Sequence, residues 1–110
     1  MANAYKVLGQ VAPSATTATT AYTVPSSTEA VISTIVIANR AASAGTYRIA
    51  VRPNGATLAN EHYLAYDVAI AANDSTALTL GITIDASDVV TVYASSANMS
   101  FNLFGSEITA

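Results

Sequence analysis

The sequence predicts an all-β protein, a single β-sandwich of jelly-roll-like order with roughly eight strands. Three observations carry that prediction. Short β-branched or aromatic runs alternate with period two, a turn signal closes each run, and no stretch keeps the helical period of an amphipathic helix. A chain of 110 residues amounts to one domain around one core.

The first candidate strand is "AYKVLGQV" (4–11), followed by "APSATTATT", a stretch too small and polar to anchor a core. Residues 1–20 therefore read as an N-terminal strand or arm plus a Ser/Thr/Ala-rich loop, and residues 21–110 as the sandwich domain. "AYTVP" (21–25) resumes the alternation, and Pro25-Ser26-Ser27 marks a turn. In "EAVISTIVIANR" a strict period of two puts Val31, Ser33, Ile35 and Ile37 on one face, with Ile32 and Val36 on the other. Both faces look buried, as in a central strand.

"TYRIAVRP" is the next strand and breaks at Pro53-Asn54-Gly55, before "EHYLAYDVAI" (61–70) and the turn "AAND". "STALTLGITI" (75–84) sets Leu78, Leu80, Ile82 and Ile84 against Thr79, Gly81 and Thr83, a strand with one buried face. "DASD" (85–88) turns into "VVTVYASS", and Asn98 opens a last alternation with Met99, Phe101 and Leu103 on one side. The expected core comprises Ile35, Ile37, Ile49, Val51, Leu78, Leu80, Val90, Val92, Phe101 and Leu103. Alternation alone does not order the strands, since a jelly roll shares it with other sandwiches.

Composition narrows the function classes. Only 10% of residues are charged and 52% are hydrophobic, with a mean hydropathy of +0.41. That is more apolar than a small lone domain usually is, so part of the surplus is expected between subunits of a homo-oligomer. A net charge of -3 argues against nucleic acid as a partner. Cysteine is absent, which removes disulfides and thiolate metal sites. The opening "MANAYKVLGQ" lacks the basic and apolar regions of a signal peptide, and "AVISTIVIA" is too short to span a bilayer, so neither secretory export nor a membrane partner is expected.

Chemistry-bearing residues are few. His62 is the one histidine, which excludes a multi-histidine metal site within the chain. Asp74, Asp85 and Asp88 fall at turns, where carboxylates cap backbone N–H groups. No phosphate loop, HExxH or G-x-S-x-G motif occurs. The expectation is a protein that is not an enzyme, with no cofactor and no required metal. Six tyrosines could offer a stacking platform to a glycan, but on strands they read as edge-of-core or interface residues.

Arg48 and Arg52 alternate with Tyr47, Ile49 and Val51. Covered guanidiniums need acceptors, and carboxylates or carbonyls of a neighbouring subunit are the first candidates; a solvated face with loose ion pairs is the competing reading. The candidate subunit interface is Arg48, Arg52, Tyr47, His62 and Tyr63.

The strings "YTVP" with a β run ending "ANR", then "YRIAVRP", "AANDSTALTLG" and "VYASSANMSFNLFG" resemble, in that order, a family of small virion proteins of tailed bacteriophages, frequent among cyanophages. The resemblance runs from about Tyr22 to Thr109. It implies a non-enzymatic structural protein of the particle, made in the host cytoplasm and docked on other virion proteins. An accessory module of the neck/collar or tail/baseplate is the expected role, and a homotrimer the expected copy number. Capsid decoration (cement), or host-glycan recognition by a fibre, are the alternatives.

Overall fold

A computed structural model describes residues 2–109, which form eight antiparallel strands in two four-stranded sheets. They are β1 (Ala2–Val11), β2 (Thr19–Thr23), β3 (Thr28–Asn39), β4 (Gly45–Arg52), β5 (Tyr63–Ile70), β6 (Ser75–Ile84), β7 (Val89–Ala94) and β8 (Met99–Thr109). Two three-residue 3₁₀ turns, Pro53–Gly55 and Asn60–His62, lie in the β4–β5 connection. Among the described residues no helix is long and apolar enough to cross a membrane.

The sheet orders are β1-β8-β3-β6 and β2-β7-β4-β5. Each of the first four strands pairs with its mirror in the second four: β1 with β8, β2 with β7, β3 with β6, β4 with β5. That is one long hairpin rolled into two layers, the jelly roll. Residues 2–11 form a full strand of the first sheet. The segment after them is pinned where the Thr16 N–H donates to the Ala94 carbonyl at 2.8 Å.

The core lies between the layers, where Ile35, Ile37, Ile49, Val90, Val92, Phe101, Leu103 and Met99 are buried as the alternation predicts. Val51 and Leu78 are half-buried and pack against this cluster from its rim. Leu80 departs from the expectation, being 49% exposed on the outer face. The cause is a band of bulges level with Phe104. Leu8 is an extra residue in β1 against β8, Ser33 an extra residue in β3, and Leu80 and Gly81 together oppose Ser33. An inserted residue reverses which side chains face inward. β3 therefore buries Ala30 and Ile32 before the bulge, and Ile35 and Ile37 after it, while Val31 and Val36 are only half-buried. A strict period of two groups Val31 with Ile35 and Ile37, but the extra residue at Ser33 puts Val31 on the opposite face from them. Gly81 accommodates the bulge with φ of +63°, a conformation side chains disfavour.

Candidate functional site

β4 sends Tyr47 and Ile49 into the core and Arg48, Ala50 and Arg52 to the outer face of the second sheet, the pleat enforcing the alternation. Opposite Arg48, β5 is irregular: Tyr47 pairs with Val68 and Ile49 with Ala65, so Tyr66 and Asp67 both confront one arginine. Asp67 takes φ of +52°, tolerable for aspartate at a bulge. The bulge thereby gives Arg48 a carboxylate and an aromatic ring together. Its Nε donates to Asp67 Oδ1 at 2.7 Å and its Nη2 to Oδ2 at 3.3 Å. Its guanidinium carbon lies 4.1 Å from the ring centroids of both Tyr66 and Tyr93, a double cation–π stack. Asp67 holds the guanidinium proton more tightly still.

Arg48 thus finds its acceptor inside its own chain, where the sequence pointed first to a neighbour. Arg52 also bonds internally, Nε to Thr91 Oγ1 at 3.1 Å and Nη1 to the Ala56 carbonyl at 3.2 Å, which ties the β4–β5 connection down on the sheet. His62 Nδ1 accepts the Ala59 N–H at 3.1 Å and braces the second 3₁₀ turn. Tyr63 meets Tyr66 edge to face at 4.9 Å. Tyr47 does not join this face: it is 1% exposed and packs edge-on against Phe101 in the core. Of the five expected interface residues, then, Arg48, Arg52, His62 and Tyr63 lie on one side of the sandwich and Tyr47 lies within it. Arg48, Leu58, Tyr63, Thr91 and Tyr93 line a depression of about 250 Å³ there.

Sequence reasoning missed Asp67, Tyr66 and Tyr93 as the partners of Arg48. One signal was available: Asp67 interrupts an otherwise apolar strand, a setting where aspartate is depleted unless something holds it. Asp85 and Asp88 serve their turn as expected, Asp88 accepting the N–H groups of Asn54 and Asp85 at 2.8 Å each.

A second polar cluster joins the layers. Glu107 on β8 is buried, receives the Tyr22 hydroxyl at 2.5 Å and pairs with Lys6 Nζ at 2.7 Å. The Lys6 ammonium first, and the Tyr22 hydroxyl next, hold its carboxyl below the usual glutamate range, whereas burial and this carboxylate push the Tyr22 hydroxyl well up. A lowered folded-state pKa stabilises the fold above the ordinary carboxylate range, and that contribution disappears as pH falls through the folded value. Urea midpoints are thus expected to decline below about pH 4, and Glu107→Gln to flatten that decline. An unchanged acid profile in the variant would assign the acid sensitivity to other carboxylates.

The outer face of the first sheet is different in kind. Tyr5, Val7, Leu80 and Phe104 are exposed there, at 85%, 47%, 49% and 36%. Tyr5, Val7, Val31, Ser33 and Phe104 line a shallow groove of about 520 Å³. Neither a known protein family nor a curated protein matches the sequence.

Proposed function

We propose that the chain is a non-enzymatic structural module of a tailed-bacteriophage particle, attached as a homo-oligomer to the neck/collar or the tail/baseplate. The observation that carries this reading is where the apolar surplus lies. The two layers close over a complete core, yet Tyr5, Val7, Leu64, Tyr66, Val68, Leu80 and Phe104 stay exposed on the outside. Exposed apolar patches on a stable domain mark surfaces that another protein covers. The polar groups that might have served chemistry are engaged in architecture: His62 braces a turn, Asp85 and Asp88 hold another, and Asp67 is paired with Arg48. The phage assignment itself rests on the sequence resemblance.

Sedimentation velocity of the purified chain at micromolar concentration tests the oligomer, and an antibody raised against it tests the location on particles of the encoding phage. An oligomer in solution and labelling of the neck or tail are expected. A monomer at every concentration removes the homo-oligomer, and unlabelled particles remove the virion role.

A further inference from the structure

We propose that the free edge of β1, from Ala2 to Val7, pairs antiparallel with the same edge of a second copy, joining two four-stranded sheets into one of eight strands. That the partner is a second copy rests on the homo-oligomer reading above; the contact is twofold, in place of the threefold one the resemblance implies.

An edge strand presents unpaired N–H and C=O groups, and proteins blunt such edges with bulges, short strands or outward charges. Three of the four edges here are blunted. β2 has five residues and breaks between Thr20 and Tyr22. β5 is broken twice, with Asp67 at positive φ. β6 is split at Leu80–Gly81. β1 is the exception: from Ala2 to Val7 its register against β8 advances without a shift, and its bulge comes only after Val7. Beyond that bulge the strand turns in towards β2, where Gly9 lies close against the Ala21 carbonyl.

The side chains on this edge also fail to guard it. Lys6 carries its only charge, and that ammonium is drawn to Glu107 of the same chain. An antiparallel strand paired with itself has a twofold axis, so each donor of one copy meets the equivalent acceptor of the other. Centred on Tyr5, the pairing sets Tyr5 beside its symmetry mate and Asn3 opposite Val7, with no like charges facing across the outer side. The grooves formed by Tyr5, Val7, Val31 and Phe104 then meet at the junction as one apolar strip, which covers Tyr5, the most exposed large hydrophobic among the described residues.

The chain has no cysteine, so single cysteines report the contact directly. Under mild oxidation at micromolar concentration, Tyr5→Cys is expected to give a covalent dimer at least tenfold faster than Leu64→Cys, which is exposed on the β5 edge. In sedimentation the wild type should run as a dimer and the Tyr5→Lys/Val7→Lys double variant as a monomer, with an unchanged circular dichroism spectrum because both side chains are exposed. Equal cross-linking at the two positions, or a dimer that survives the two lysines, overturns the edge pairing and leaves the homo-oligomer standing. A wild type that stays monomeric overturns both.

Discussion

Phe101→Ala is expected to lower the unfolding free energy by about 3–5 kcal/mol, a large share of what a domain of this size has. Phe101 is fully buried on β8, and its ring meets Tyr47 of β4 edge to face at 6.4 Å and 75°. The pair joins one sheet to the other. Truncation leaves a cavity lined by Tyr47 and the β-branched core, whose side chains have few rotamers with which to fill it. Urea denaturation of the variant should show a much lower midpoint. A midpoint equal to that of the wild type would mean that the two layers do not close over this ring.

Gly105→Ala is expected to cost as much or more, for a different reason. Gly105 pairs with Ile32 beside the band of bulges, where β3 crowds against β8. A β-carbon at this position would overlap the Val31 carbonyl oxygen and sit 2.9 Å from its carbon and 3.0 Å from the Ile32 Cα. All three are backbone atoms, which no rotamer change can move aside. Overpacking typically costs about 1–3 kcal/mol when side chains can yield, so separation of two central strands should reach or exceed the top of that range. Gly81→Ala is the control, because its β-carbon meets open space and only the positive φ opposes it. Equal destabilisation by the two substitutions would show that backbone conformation, and not strand contact, sets the cost at Gly105.

The strands themselves were legible in the sequence because each alternates and ends at a turn, from "AYTVP" to the run through Met99, Phe101 and Leu103. The inward face of β8 follows its alternation throughout, since β8 carries no extra residue. β3 and β6 do carry them, and the face assignments of Ile32, Val31 and Leu80 failed there. Nothing in "VISTIV" announces an inserted residue: Ser33 suits an outer face in either phase, and only pairing with β8 reveals the offset. Gly81 was the one local clue. The arginine face was half legible. Alternation sets Arg48 and Arg52 outward and Tyr47 inward with Ile49; the interface role expected for Tyr47 came from its place beside the two arginines in sequence, and its parity opposes it. The partner of Arg48 lies 19 residues away across a bulge, a relation that no spacing within one strand encodes.

The strand order also bears on how the chain matures during synthesis. β8 is the last of these eight strands in chain order, yet it lies inside the first sheet, between β1 and β3. Until residues 99–109 have left the ribosome, β1 has no strand to join and Ile35 and Ile37 lack Leu103 and Phe101, their partners across the β3–β8 ladder. The first half of the chain must therefore wait, unpaired and rich in β-branched residues, for the second half to arrive. Such a domain folds late and slowly, only once β8 has emerged. In the interval the apolar β3 segment is the part of the nascent protein most in need of a chaperone's shelter.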